Sequence, residues 1–267
     1  MKSALATLAV TAFISFPRSY AADETKQPAA SQSAYAVQVG ATPLTGAGAI
    51  TTKEQKPADP EKQFQLIGSE MLRLDGRFKA QLQEKKWEEA GKTADAIARL
   101  VPSPPAGYEV ATKDDLEIVR TEYRVRILMA KGDAKAAIQE VAGRWTASKT
   151  TGPILFFGMA ETLLADPELP GDGLDLTTEI LSSINQKSAV KSFATLAALA
   201  RATFMKGDKE QAVGLQEQAI KIQAPYVTEE HRQKHGDKYH SINVGNQKRL
   251  QAQLASYAAG KLPPSER

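Results

Sequence analysis

The sequence predicts an all-α chain built from antiparallel helix hairpins, and three observations carry that prediction. From Glu61 onward, apolar residues recur at three- and four-residue spacing, which sets them on one face of successive helices. Two interruptions repeat one another: Lys131-Gly132-Asp133 and Lys206-Gly207-Asp208 each supply a cation at a helix end, a Gly able to take positive φ, and an Asp suited to cap the next helix. Ala is abundant, aromatics are only 6% of residues, and no segment reads as a strand.

The chain of 267 residues opens on Lys2, an apolar run from Ala4 to Phe16, and a small-x-small triplet at Ser19-Tyr20-Ala21. That is the pattern of a secretory signal over residues 1–21, so a periplasmic or secreted location is expected. The run is too short to span a bilayer, and no other approaches ~18 residues, so the mature chain is expected to be soluble. Loss of Lys2 and Arg18 with the signal lowers the formal charge from +3 to +1, a balance that demands no nucleic acid. Cys is absent, which excludes disulfides, a thiol nucleophile, a Cys zinc site and a lipoprotein anchor. Residues 22–60 are rich in Ala, Thr, Gly, Pro, Ser and Gln and carry no periodic apolar face, so they are expected to form a disordered tether. Gly46-Ala47-Gly48 with Lys53 lacks both a preceding strand and a following Gly-Lys-Thr/Ser, and is not a phosphate loop.

About four hairpins are expected over residues 61–225. Phe64, Ile67, Met71, Leu74, Phe78 and Leu82 form the first stripe. Trp87, Ala90, Ala94, Ile97 and Val101 form its return, stopped by Pro102, Pro104 and Pro105, with Lys85 where the other turns have Gly. Thr112 with Asp115 suggests a cap for Leu116, Val119, Tyr123, Ile127 and Ala130; after Gly132, Ala137, Ile138, Val141 and Trp145 complete the second hairpin. The third runs from Pro153, a first-turn proline, through Phe156, Met159, Ala160, Leu163 and Leu164, then across a longer loop to Leu176, Ile180, Leu181 and Ile184. The fourth is the most regular. Phe193, Leu196, Ala200 and Phe204 precede its turn, and Ala212, Leu215, Ala219 and Ile222 follow it before Pro225. Residues 226–267 read as a connector and a closing helix with Leu250, Leu254 and Tyr257, ended by Gly260.

Phe193 to Gln223 resembles a tetratricopeptide repeat: Ala200, Gly207, Ala212 and Ala219 match the small residue late in the first helix, the turn Gly and the two Ala of the second. The family's large aromatics fall here on Leu196, Thr203 and Gln216, while Trp87 stands where the family often has one. Gly132 and Gly207 lie 75 residues apart, close to two repeats of ~34 residues with longer loops. The resemblance implies hairpins stacked as a TPR-like right-handed superhelix, a C-terminal capping helix, and a role as an interaction scaffold. Residues 195–222 with 250–263 are also similar to the helical tail that follows a thioredoxin domain in some bacterial envelope proteins, which implies an accessory module of a redox or cell-wall enzyme system. No cofactor is implied by either.

The resemblance also singles out a face. The position six residues before the turn Gly lies on the inner side of the first helix in that family; here it holds Lys79, Arg126 and Arg201, a basic stripe able to grip carboxylates of a protein or an acidic peptide. The plainer reading is a set of solvated charges, or a structural pair of Arg126 with Glu122 one turn away. A second candidate is the group His231, His235 and His240. His231 and His235 are one helical turn apart and could share a metal ion, although Gly236 should break the helix before His240, and a solvated connector is the plainer reading. Asp114-Asp115, Glu88-Glu89 and Glu229-Glu230 are adjacent, point about 100° apart on a helix, and read as first-turn charges. No Ser sits in a strand-turn-helix elbow, so the chain is not expected to be an enzyme.

Overall fold

A computed structural model describes residues 60–100, 113–148 and 152–265. The signal-like segment 1–21, the tether up to Ala58 and Asp59 with Gly46-Ala47-Gly48 and Lys53, the stop at Pro102, Pro104 and Pro105, and the cap at Thr112 lie outside the described residues. Among the described residues there are ten α-helices and no strand. They are α1 (Pro60–Gln83), α2 (Trp87–Leu100), α3 (Lys113–Ala130), α4 (Ala134–Ser148), α5 (Phe157–Leu164), α6 (Gly171–Lys187), α7 (Phe193–Met205), α8 (Lys209–Gln223), α9 (Glu229–His235) and α10 (Asp237–Ala258). No helix among the described residues is long and apolar enough to cross a membrane.

Three of the helix-to-helix turns are one structure made from different residues. Asp133 N–H donates to Leu128 C=O at 2.9 Å and Gly132 N–H to Met129 C=O at 3.0 Å; Asp208 and Gly207 bond Thr203 and Phe204 in the same way. Between α1 and α2, Lys86 N–H donates to Gln81 C=O and Lys85 N–H to Leu82 C=O, again the paired bonds that close a helix through a left-handed residue. Gly132 and Gly207 take φ of 80° and 94°, and Lys85 takes the same region at 57° despite its Cβ. Asp208 then caps α8 by accepting from Gln211 N–H at 3.0 Å, and Asp133 accepts from Ala136 N–H at 3.0 Å. So short a turn returns the chain beside itself, and each pair packs along its length.

The pairs pack on one another in chain order: α2 against α3, α4 and α5 against α6, α6 against α7, α8 against α10. Helix α3 is apolar on two sides. Val119 and Tyr123 join Leu74, Phe78, Ala94 and Ile97 in one core, whereas Ile118 and Val125 join Ile138, Trp145, Met159, Leu163 and Ile180 in the larger one. Gly173 lets α6 approach α4 closely, because a Cβ there would meet Ile138 Cδ1 at 2.8 Å.

Two segments depart from the sequence reading. Pro153–Phe156 is a 3-10 turn ahead of an α5 of eight residues, and the buried Phe156 ring packs edge-on against Trp145 at 5.0 Å, which ties this turn to α4. The part of residues 226–267 read as a connector ahead of the closing helix is itself helical, as Glu229–His235 and the first half of Asp237–Ala258, with a break at Gly236 (φ 87°). Helix α10 docks through Leu250 and Tyr257 and through amides: Gln216 Nε2 donates to Leu250 C=O at 2.9 Å, and Gln223 Nε2 to Asn243 Oδ1 at 3.1 Å and its carbonyl at 3.2 Å. Leu196, Thr203 and Gln216, which stand at the aromatic positions of the resembled repeat, are all buried.

Candidate binding face

Residues Leu72, Asp75 and Lys79 of α1 are spaced three and four apart and share a helix face. Leu72 is 64% exposed, an uncommon state for so large an apolar side chain. Beside it, one carboxylate serves two cations. Asp75 pairs with Lys79 at 2.9 Å along α1 and accepts from Arg126 Nη1 at 2.9 Å across to α3. Arg126 is buried, its guanidinium lying 4.6 Å from the Phe78 ring centre and 4.9 Å from that of Tyr123. Burial by itself would raise the Asp75 carboxyl, but Arg126 and Lys79 outweigh it and hold the carboxyl below its usual value. Two members of the predicted stripe are therefore brought together, through an acid that the spacing argument did not single out.

Arg201 lies elsewhere. Its Nε donates to the carbonyl of Leu164, the last residue of α5, at 2.7 Å, and its Nη1 to the carbonyl of Pro263 at 2.6 Å. Residues 261–265 thus run back from α10 across α7 toward α5. They are released from α10 by a turn at Gly260 of the same bonding pattern as the hairpins, with Lys261 N–H donating to Ser256 C=O at 2.9 Å. Beneath them Tyr257 is buried and packs on Phe204, ring centres 5.0 Å apart. Burial lowers the Arg201 guanidinium from its ordinary value, and burial pushes the Tyr257 phenol up to about 12, each partly offset by the charge of the other.

The histidines sit at the α9–α10 junction. His231 and His235 stack face to face, centres 4.3 Å apart and planes 28° from parallel, with Tyr226 edge-on to His231 at 5.4 Å. Nitrogen lone pairs lie in the ring planes, so near-parallel stacked rings do not converge on one ion. Among the described residues no group of three or more His, Asp or Glu is arranged to hold a metal. Partial burial, followed by His235 and His240, holds His231 below the usual imidazole value. The three adjacent carboxylate pairs fall in the first turns of α2, α3 and α9, where negative charge meets the helix dipole.

Asp75 and Pro263 are the site groups that sequence reasoning missed. The i, i+4 relation of Asp75 to Lys79 was available as a signal for the first; nothing in the pattern pairs Pro263 with a residue 62 positions earlier. No protein-family model, curated protein or solved structure is matched by the chain.

Proposed function

We propose that this chain is an exported helical-repeat scaffold that binds a protein segment along the face formed by the first helix of each pair. The observation that carries the reading is the recurrence of a single turn at Lys85, Gly132 and Gly207, which puts Lys79, Arg126 and Arg201 in one register six residues ahead of it. Repeated hairpins that pack in chain order support a TPR-like right-handed superhelix, with α10 as the capping helix over α8. In such an array the first helices line a continuous groove. The exposed Leu72 beside half-exposed Lys79 suits a ligand with an apolar side chain followed by an acid, with Arg126 buried behind them as the partner of Asp75. The signal-like start of the sequence supports a periplasmic or secreted location.

Site-specific photocrosslinking in cells tests the face. A crosslinker at Leu72 or Lys79 of α1 is expected to capture a protein partner, whereas one at the exposed Lys92 of α2 or Glu217 of α8 is not. Adducts confined to the second-helix positions, or absent from all four, would overturn the reading.

A further inference from the structure

We propose that the seat of residues 261–265 is a recognition site for an extended, proline-containing segment of a partner protein, occupied in this structure by the chain's own Leu262-Pro263-Pro264. The inference rests on the scaffold reading above and names a ligand class for the Arg201 end of that face. Arg201 reaches the segment only through the main chain, by the 2.6 Å bond from Nη1 to Pro263 C=O, while its Nε is fixed by Leu164 C=O at 2.7 Å. The guanidinium is thereby aimed before any ligand arrives, and a carbonyl from another chain presents it with the same acceptor. The side-chain requirement is equally simple: Pro263 is buried, Leu262 is half-buried, and Lys261, Pro264 and Ser265 are exposed. Leu262 and Pro263 each precede a proline, which disfavours helix and keeps the backbone extended without hydrogen bonds of its own. Proline-containing segments lose little conformational entropy on docking for this reason, and present free carbonyls to a fixed donor.

Nothing in these contacts depends on the segment belonging to the same chain. What favours the internal segment is its tether, which acts as an effective concentration on the order of millimolar. A free peptide of the same sequence should therefore compete only in that range. A partner that also reaches α1, where Leu72 and Lys79 are exposed and half-exposed, would displace the segment at far lower concentration.

The chain lacks Cys, so Ser265→Cys gives a single attachment point for a nitroxide on the full-length protein. The probe peptide is Lys-Leu-Pro-Pro-Ser, with Lys-Leu-Gly-Gly-Ser as its control. At about 5 mM, within the range set by the tether, the proline peptide is expected to shift the nitroxide spectrum from immobilised to mobile, and the control to leave it unchanged. A spectrum that neither peptide moves, or that both move equally, overturns the proposal. In a second arm, Leu262→Asp with Pro263→Gly unseats the internal segment of the full chain, and a fluorescent proline peptide should then bind at least tenfold more tightly than to the unmodified protein. Adding Arg201→Ala should remove that gain, and retention of the gain without Arg201 overturns the proposal. Should the double variant lose its helical dichroism, the nitroxide arm still decides, because it uses the native seat. Failure of the scaffold reading is distinguishable: crosslinks from Leu72 and Lys79 would then be absent while the peptide still displaces the segment.

Discussion

Arg126 and Arg201 occupy the same register, each six residues before a Gly of positive φ, yet they do different work. Arg126 is sealed between two aromatic rings and answers a carboxylate on the preceding hairpin. Arg201 is half-buried and answers two main-chain carbonyls, one at the end of α5 and one on the segment after α10. The repeated turn thus fixes where a side chain points, and the neighbouring hairpin decides what it meets there. An ionic junction joins the first two hairpins, whereas two carbonyl bonds from Arg201 join α7 to the end of α5 and to the segment after α10.

The largest expected effect follows from the sealed site. Arg126→Ala leaves Asp75 partly buried with only Lys79 to answer it, and removing one partner of a buried pair costs roughly 3 to 5 kcal/mol. Urea unfolding would show it directly. Arg126→Met combined with Asp75→Leu should recover most of the loss, since apolar replacement of both partners removes the orphaned charge. A single-variant cost under about 1 kcal/mol would place Arg126 among solvated charges and erase the contrast.

Arg201→Ala should cost less, about 2 kcal/mol, because its two bonds are to neutral carbonyls and the site is half open to water. Its signature is regional. Hydrogen exchange should quicken around the end of α10 and around α5, and stay unchanged in α1 and α3. Uniform destabilisation across all helices would show that the clamp is part of the common core.

The two sites should also titrate at opposite ends of the pH scale. The Asp75 carboxyl is lowered in the folded chain, so its contribution is complete above the unfolded carboxylate value of ~3.9 and is lost as pH falls through the folded value. Tyr257 is raised to about 12 from an unfolded value near 10, so its contribution is complete below ~10 and is lost as pH climbs from there toward 12. By pH 11 the loss should be about 1 kcal/mol. Asp75→Asn should flatten only the acid limb of the stability profile and Tyr257→Phe only the alkaline limb; a variant that alters both limbs would mean the two regions are one coupled network.

These contrasts bear on what the sequence makes legible. Helix identity and the three turns could be read because they rest on local signals: apolar period, a Gly or its stand-in, and, in the second and fourth hairpins, an Asp cap. Helix α10 was read only from Leu250 onward, since in its earlier turns the buried residue is Asn246 and Asn243 accepts from Gln223 of α8, and such polar positions leave no apolar period. The basic register was legible as a position. That Arg126 would be buried against Asp75, and Arg201 bound to Pro263, depends on chain segments 51 and 62 residues away, which no local pattern encodes.

The smallest effect isolates the turn itself. Lys85 holds φ 57°, where a Cβ crowds the following carbonyl at a cost of roughly 1 to 2 kcal/mol that Gly132 and Gly207 do not carry. Lys85→Gly relieves that crowding but loosens the unfolded chain, which offsets about 0.5 to 1 kcal/mol of the gain. A net stabilisation of about 0.5 to 1 kcal/mol is expected, read as a raised urea midpoint at constant m-value. Lys85→Ala separates the causes, since it removes the ammonium and keeps the Cβ; it should leave stability nearly unchanged. Gly132→Ala and Gly207→Ala should each lose about 1 kcal/mol by introducing the strain that Lys85 already bears. If Lys85→Gly lowers stability while Lys85→Ala does not, the first turn is not the conformational equal of the other two, and the common register of Lys79 with Arg126 and Arg201 loses its structural basis.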